Sequence, residues 1–439
     1  MTWLGCYYRL CALVGPFVDA CLHCPELLSS SRKTWSQRRG TLPEEVVENA
    51  PYDLWIHGAS VGEVSVIKAI LQSLFQIRPQ TKTIVSTFTV SGLQYARKTF
   101  DEKIKKIHCP LDYPQAIKRA LSIIRPKVFC TVETEMWPSL IFALKKKKTG
   151  LILLNGRISN HSFNSYKRFR FLFSDVLDAF DAICAISERD MERFIAIGAD
   201  EKRIRVCGNA KYEYLITRAE REPSNQILAR LASAIDAPII VAGSIRQEEY
   251  RFLVEVSDRL WKEGMDHFLI LVPRHLDRVE EIRDFLTKKK REYSLFSRFS
   301  KGKDTLFRKS ILIVDEIGLL FELYQICHIA FVGGSLPPLG GQNVMEPAAW
   351  EKPVVFGPNI WNFEDAAEAL VERGGGFMVK DETGLFPLFR DLLKGSRIRK
   401  KSGKAAKETL IQLGKGAATN QALSLSDLLD KKTERAAQQ

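Results

Sequence analysis

Residues 52–74 have the sequence YDLWIHGASVGEVSVIKAILQSL, which contains a complete strand, turn and helix. The apolar run 54–56 is short, as is typical of a buried strand. A turn rich in Gly and Ser follows, HGASVGEV (57–64), and apolar residues then recur at helical spacing. The turn carries Glu63 at the point where the helix begins. This unit predicts a parallel α/β sheet with a ligand site beyond its strand ends.

The same alternation of apolar runs and helical patterns continues in two series. A polar stretch, ITRAEREPSNQ (216–226), separates them and is typical of a linker. The alternation predicts two doubly wound α/β domains in tandem, whose ligands lie outside the carboxyl ends of the strands. The predicted strands are 54–56, 83–86, 128–132, 151–154, 182–186 and 204–206 in the first series, and 239–242, 268–272, 311–314, 329–332 and 353–356 in the second.

The N-terminal residues 3–20 are apolar and aromatic, but Arg9, Pro16 and Asp19 interrupt them. A transmembrane helix needs about 20 mostly apolar residues, so this stretch favours a segment that lies in or on an anionic cytoplasmic leaflet. The alternative is a helix packed on the first domain. We therefore predict a membrane anchor segment over 1–30, domains over 31–218 and 219–428, and a frayed tail over 429–439.

The formal charge of +13 favours an anionic partner. A nucleic acid, a phosphorylated substrate and an acidic membrane face all satisfy it, as does a solvated Lys-rich surface. Cations also cluster at 145–148 and, interleaved with aromatic residues, at 166–171. The cluster at 166–171 favours contact with lipid phosphates and a membrane surface, whereas the cluster at 145–148 is more typical of a solvated face. Nucleic-acid binding is not favoured, because it leaves the strand-end motifs unexplained.

Acids and a lysine follow the strands of the first series. Beyond the Glu63 turn, these strand ends are ETEMWP (133–138), NGRISN (155–160) and GNAKYE (208–213). We expect them to converge on one edge of a sheet. Taken alone, a Glu in the first turn of a helix usually serves only to interact favourably with the helix dipole. That interaction tends to lower the pKa of the Glu side chain. Partial burial by lipid and substrate would offset that tendency.

The second series carries groups suited to a nucleotide phosphate. VAGSIRQEE (241–249) and LVPRH (271–275) follow strands, and a Gly-rich stretch over 331–350 runs into a helix predicted to start near Asn343. A helix N-terminus presents free N–H groups to an anion. Asn343 and Glu346 also have the spacing of a capping box, which is the alternative. No cluster that would clearly hold a divalent ion is evident, so neither metal nor cofactor is predicted.

The ordered motifs HGASVGEV, TVETEMWPSLI, LLNGRIS, GNAKYE, VAGS, LVPRH, FVGGSL and GGQNVMEPA resemble the 3-deoxy-D-manno-octulosonic acid (Kdo) transferases of lipopolysaccharide assembly, over about residues 30–410. The resemblance implies a GT-B fold, with two Rossmann-like domains facing a central cleft and an N-terminal membrane-associated segment. It also implies an inverting, metal-independent transfer of Kdo from CMP-Kdo to a lipid A precursor, on the cytoplasmic side of the inner membrane.

The resemblance also implies roles for individual residues. Glu63 matches the proton acceptor, and Glu133 and Lys211 match the pair that stabilises the transition state, although Glu135 could take the place of Glu133. This chain has DEIGLL (315–320) where the family commonly has DTxGEL, so only backbone contact is expected at Leu319. The residues that match CMP contacts are Pro273, Arg274, Ile317, Gly318, Leu319, Asn343, Val344, Met345 and Glu346.

Two alternatives remain open from the residues. The first is a GT-B transferase that uses a UDP-hexose donor. The second is a basic protein of the membrane surface, or of nucleic acid, without catalytic activity. The partners that we predict are CMP-Kdo, a lipid A precursor and an anionic membrane surface, with no nucleic acid.

Overall fold

A computed structural model of the protein describes residues 2–21, 32–221, 225–307 and 309–437. The chain forms two units: Met1–Tyr214 with Gly414–Gln439, and Leu215–Leu413. The predicted boundary at 218 lies near the observed division. The predicted end of the second domain at 428 differs, because the chain from Gly414 onward packs with the first unit. Residues 1 and 22–30 of the predicted anchor lie outside the described residues.

The first unit contains a seven-stranded parallel sheet with the order β3-β2-β1-β4-β5-β6-β7. The strand order reverses between β1 and β4, and this switch point is where open α/β sheets bind ligands. The turns that carry Glu63 and Glu133 follow these two strands. The strands are β1 Leu54–His57, β2 Thr83–Thr87, β3 Lys105–His108, β4 Val128–Val132, β5 Gly150–Gly156, β6 Ala182–Ala185 and β7 Ile204–Val206.

Helices cover both faces of this sheet. Successive side chains of a strand point to opposite faces, so Trp55 enters one apolar core while Leu54 and Ile56 enter the other. Burial on both faces explains why the central strands are continuous apolar runs. The helices are α1 Trp3–Cys21, α2 Arg32–Arg38, α3 Glu44–Val47, α4 Val61–Ile77, α5 Val90–Thr99, α6 Pro114–Ile124, α7 Pro138–Lys146, α8 Asn160–Arg168, α9 Arg170–Leu177, α10 Glu188–Ala196 and α11 Ala210–Arg221, with a 3₁₀ turn at Glu201–Arg203.

The second unit contains another seven-stranded parallel sheet, with the order β10-β11-β9-β8-β12-β13-β14. Its switch point lies between β8 and β12. The elements are α12 Gln226–Ala234, β8 Ile239–Ile245, α13 Glu249–Lys262, β9 Phe268–Pro273, α14 Val279–Lys288, β10 Tyr293–Leu295, α15 Phe296–Ser300, β11 Ile311–Ile313, α16 Leu320–Ile326, β12 Ile329–Val332, α17 Met345–Ala349, β13 Val354–Phe356, α18 Glu364–Glu372, β14 Gly376–Met378, α19 Leu385–Lys394 and α20 Ser396–Gly414, with 3₁₀ turns at Leu276–Arg278 and Glu382–Gly384.

The parallel α/β architecture predicted from the sequence is confirmed, and each predicted strand is present. Three further strands, β3, β10 and β14, were not predicted. All three lie at sheet edges, where one side of the strand is open. Such strands need no continuous apolar run, and β3 begins with two half-buried lysines.

The chain ends in a long helix, α21 (Ala417–Ala437), which packs on the first sheet. The tail predicted to be frayed from 429 is therefore helical as far as Ala437. An apolar stripe on this helix explains the difference, because Ala418, Leu425 and Leu429 enter the first unit's core. At the other terminus, α1 contacts α6, α7 and α9. Among the described helices, none has the length and apolarity needed to cross a membrane.

Candidate functional site

Glu63 lies in the first turn of α4, directly beyond β1. Ser60 is the N-cap, and the two residues form a capping box. The Ser60 N–H donates to Oε2 of Glu63 over 2.7 Å. Two orphan N–H groups of the helix are satisfied in this way, so the carboxylate has a local structural role. That role also fixes the side chain at the sheet edge.

The environment of Glu63 raises its pKa to about 7 from an ordinary value of 4.5. Burial is the main cause, and the neighbouring carboxylates of Glu133 and Glu135 add to the rise. Hydrogen bonds from the N–H groups of Ser60 and Ala59 oppose it. We expected the helix terminus to lower this pKa and burial by lipid and substrate to offset it; burial within the protein itself already reverses the shift. Desolvation and like charges outweigh the helix dipole here.

Glu133 follows β4 in a left-handed conformation, with φ of 60°. Its N–H donates to the carbonyl of Leu154 on the neighbouring strand over 2.9 Å. Glu135 lies two residues further on, and burial and the nearby Glu133 carboxylate raise its pKa. Both acids lie close enough to Glu63 to affect its protonation. The structure thus brings together the acids that the strand-end motifs predicted.

Lys211 lies at the second position of α11, beyond β7. Its Nζ atom is 3.4 Å from the position that a Cβ on Gly62 would occupy, so the ammonium group lies over the first turn of α4. A positive charge therefore accompanies the three carboxyl groups at this edge. We call Glu63, Glu133, Glu135 and Lys211 the acid–lysine cluster.

Aromatic side chains surround His57 beside the cluster. His57 ends β1 and is fully buried, and burial lowers its pKa to about 4. Its Nδ1 lies 2.9 Å from Oγ of Ser86, which also accepts from the indole of Trp55. The Trp137 ring stacks on Phe88 with 5.3 Å between their centroids. A histidine held neutral in this way adds no charge near the acids at neutral pH.

The donor-side residues predicted from the sequence lie in the second unit. Pro273 ends β9 and is buried, whereas the side chain of Arg274 is exposed. The N–H of Arg274 donates to the carbonyl of Ile245 at the end of β8 over 3.0 Å. The loop beyond β11 is open: Ile317 is 86% exposed, and Gly318 has a φ of 94° with open space where a Cβ would lie. Leu319 caps α16.

The predicted helix N-terminus near Asn343 is only a short turn, because α17 has 5 residues. Asn343 caps it locally, with Oδ1 accepting from the N–H of Met345 over 3.1 Å and Nδ2 donating to Glu346 over 3.4 Å. The side chains of Val344 and Met345 are fully buried. Neither residue therefore exposes surface to a ligand in this structure, in the side chain or in the backbone.

Glu249 was missed as a site residue by the sequence analysis. It is 1% exposed and lies at the start of α13. Its two oxygens accept the N–H groups of Arg246, Gly334, Ser335 and Leu336 over 2.7–3.2 Å. Gly334, Ser335 and Leu336 of the Gly-rich stretch therefore present their N–H groups to an internal carboxylate. The spacing of three residues between Arg246 and Glu249, which is typical of a helix cap, was the only feature of the sequence that indicated this role.

The predicted site residues thus form two groups, one in each unit. The acid–lysine cluster lies at the switch point of the first sheet, and Arg274 and the 315–319 loop lie at the carboxyl edge of the second. Over the described ranges, no group of 3 or more His, Cys, Asp and Glu side chains has an arrangement that could hold a metal ion.

Comparison with known proteins adds a family to this geometry. Residues 33–214 match the family described as 3-deoxy-D-manno-octulosonic-acid transferase (kdotransferase). The 3-deoxy-D-manno-octulosonic acid transferase of Haemophilus influenzae is 31% identical over 88% of each chain. A bifunctional glycosyltransferase/methyltransferase of Fusobacterium nucleatum is 32% identical over 81% of this chain. The alignment spans 54% of that relative, or about half its length.

Solved structures show the same architecture. A glycosyltransferase from Rickettsia africae has a TM-score of 0.57 and 16% identity, covering 87% of this chain and 99% of that one. At this identity the likeness concerns the fold alone. It agrees with a GT-B-like pair of parallel α/β units.

Proposed function

Because the chain belongs to the 3-deoxy-D-manno-octulosonic acid transferase family, we propose that it moves Kdo from CMP-Kdo to the phosphorylated glucosamine disaccharide of a lipid A precursor. The protein is a glycosyltransferase by that membership. The observation that carries the finer proposal is the acid–lysine cluster, in which Glu63 has a pKa of about 7. A carboxylate of that pKa at the switch point of a sheet is suited to general base catalysis.

In the proposed reaction, Glu63 takes the proton of an acceptor hydroxyl as its oxygen attacks the ketosidic carbon of Kdo. The new C–O bond forms on the face opposite the departing phosphate, so the configuration inverts. The old C–O bond breaks, and its electron pair leaves with CMP. One carboxylate suffices for this single displacement, and a positioned base contributes about 10²–10⁴ in rate.

Glu133 and Lys211 are the proposed stabilising groups. The ketosidic carbon gains positive charge as CMP leaves, and a carboxylate such as Glu133 or Glu135 stabilises that charge. The Lys211 ammonium lies over the first turn of α4, at the same sheet edge as these acids. Preorganised charges of this kind are often worth more than the proton transfer itself.

The second unit is the proposed CMP-sugar-binding domain, and the first is the proposed acceptor-binding domain. The exposed Arg274 supplies a fork of donors suited to the CMP phosphate. Gly318 and its neighbours offer backbone groups in an open loop, whereas Val344 and Met345 are fully buried and would have to be uncovered to reach the ligand. We propose that all of these residues, with Pro273, Ile317, Leu319, Asn343 and Glu346, contact CMP.

We further propose that α1 and the start of α9 bind the cytoplasmic face of the inner membrane. Trp3, Leu13 and Phe171 are 59%, 80% and 48% exposed, and the Trp3 and Phe171 rings lie 5.0 Å apart. Exposed cations at 167, 168 and 170 adjoin them. Aromatic residues with nearby cations suit an anionic lipid surface. Trp3→Ser with Phe171→Ser should weaken sedimentation with anionic vesicles, whereas Leu423→Ser should not.

The transfer itself is tested by the mass of the lipid. The protein is incubated with lipid A precursor and freshly made CMP-Kdo in detergent or vesicles, and each added Kdo should raise the lipid mass by one sugar. Unchanged mass in every membrane-like condition would support a non-catalytic protein. Protection against thermal unfolding by UDP, without protection by CMP, would indicate a UDP-hexose donor instead.

A further inference from the structure

Gln421 of the C-terminal helix α21 is a fully buried polar side chain in the same unit as the acid–lysine cluster. Its carboxamide oxygen accepts the N–H of Asn155 over 2.8 Å, and its Nε2 donates to the carbonyl of Gly208 over 3.0 Å. Asn155 begins the NGR motif near the end of β5, and Gly208 begins the GNAK motif. One side chain therefore joins two strand-end motifs that lie far from it in sequence.

Asn155 extends this connection to the helix that carries Lys211. The side-chain oxygen of Asn155 accepts the N–H of Ala210, the first residue of α11, over 2.9 Å. Asn155 is 1% exposed and has a φ of 52°, a left-handed conformation that Asn tolerates better than most residues. The Gln421–Asn155–Ala210 chain of hydrogen bonds thus ends one residue before Lys211.

The C-terminal segment of the chain makes two further contacts with the first turn of α11. The Glu213 carboxylate accepts the N–H of Ala418 in the first turn of α21 over 2.6 Å. Gly414 approaches the backbone so closely that a Cβ there would lie 2.7 Å from the nitrogen of Glu213. Lys211 lies between Ala210, which Asn155 holds, and Glu213, which contacts the C-terminal segment directly.

We propose that Gln421 is a positioning residue that holds Lys211 in place over the first turn of α4. The inference rests on the role proposed above for Lys211. A neutral carboxamide is well suited to this task, because it fixes the backbone without adding charge beside the acids. The hydrogen bonds of Gln421 are buried, where leaving a donor or acceptor unpaired costs free energy. The positions of its partners are therefore strongly constrained.

The expected consequence is a specific loss of turnover in Gln421→Ala. A displacement of about 1 Å in a catalytic group can cost about 10²-fold in rate, so we expect kcat to fall about 10-fold to 100-fold. The KM for CMP-Kdo should change less than about twofold, because the proposed CMP contacts lie in the second unit. We also expect Gln421→Ala to lower the melting temperature.

A double-mutant cycle with Lys211→Ala separates positioning from general loosening. If Gln421 acts through Lys211, Gln421→Ala should lower kcat by less than about twofold once Lys211 is absent. Leu425→Ala is the matched control, since Leu425 is a fully buried α21 residue in the apolar core. It should lower the melting temperature at least as much as Gln421→Ala and show the same effect on kcat with and without Lys211.

The same loss of turnover in both backgrounds for Gln421→Ala would overturn the positioning role. A second readout does not depend on the proposed function: the rate at which acetic anhydride labels the Lys211 amine, measured by peptide mass. We expect Gln421→Ala to change that rate at least about threefold relative to Leu425→Ala, as the ammonium leaves its place. Equal labelling rates in the two variants would contradict the positioning role of Gln421. If instead Lys211 itself does not contribute to catalysis, the single variant Lys211→Ala should keep its turnover, which would contradict the proposed role of Lys211.

Discussion

The carboxyl edges of the two sheets carry similar residues but hold their buried carboxylates in opposite ways. In the first unit, Glu63 faces Glu133 and Glu135, and burial with like charge raises its pKa to about 7. In the second unit, Glu249 is more deeply buried, and four N–H groups surround it. The first arrangement leaves a carboxyl group ready to exchange a proton. The second uses a carboxylate to shape two loops.

This difference teaches that position at a strand end does not by itself define chemistry. Both acids lie in the first turn of a helix that follows the first strand of a Rossmann-like sheet. Hydrogen bonds to the charged form favour it, whereas desolvation and like charges disfavour it. Burial raises the pKa of both carboxyl groups; at Glu249 four N–H groups oppose the rise, whereas at Glu63 the neighbouring acids add to it.

The largest effect is expected for Glu63→Gln. The amide keeps the size of the side chain but cannot take a proton, so turnover should fall about 10²–10⁴-fold. Protection by CMP against thermal unfolding should be unchanged. Glu188→Gln is the control, because Glu188 is also a first-turn carboxylate beyond a strand but is exposed. Retention of more than a small fraction of turnover in Glu63→Gln would assign the base elsewhere.

Glu249→Ala should damage the second unit. It leaves buried N–H groups without their acceptor, and each such group costs about 1–3 kcal/mol, so we expect about 3 kcal/mol of lost stability after local rearrangement. Thermal unfolding and protection by CMP report this loss, and both should fall.

The matched control is Glu248→Ala, since Glu248 is the exposed neighbour and pairs with Arg251 at the surface. It should leave both measurements close to those of the original protein. Equal effects of the two substitutions would show that the Glu249 hydrogen bonds contribute little.

Arg274→Ala should weaken CMP binding by about 10-fold, because one charge-assisted interaction with phosphate is worth about 1.5–3 kcal/mol and this side chain is exposed. The affinity is measured by calorimetry with CMP. Arg278→Ala is the control, as Arg278 is a nearby exposed arginine that pairs with Glu281. If Arg278→Ala weakens CMP binding and Arg274→Ala does not, the phosphate contact would be assigned to Arg278 instead.

The sequence predicted the interior of both sheets because strands buried on two faces must be continuously apolar. It did not predict β3, β10 and β14, since a strand at an edge is only partly covered. The convergence of Glu63, Glu133 and Lys211 followed from parallel strand ends alone. The pKa of Glu63 did not, because its burial depends on tertiary packing.

Contacts between segments that are distant in the chain could not be predicted from the sequence either. Gln421 bonds to Asn155 across 266 residues, and Glu249 bonds to Gly334 across 85. No local pattern identifies either partner. The predicted tail at 429–439 shows the same point, since its helix is stabilised by a core formed much earlier in the chain.

The pH dependence of kcat/KM tests the role of Glu63 most directly. The base must be ionised, and its pKa is raised, so activity should be lost as the pH falls through about 7 rather than through the ordinary 4.5. The residual activity of Glu63→Gln, measured on the same acceptor, should lack this acidic limb. A limb near 4.5 in the original protein, or a limb near 7 that persists in Glu63→Gln, would contradict the account.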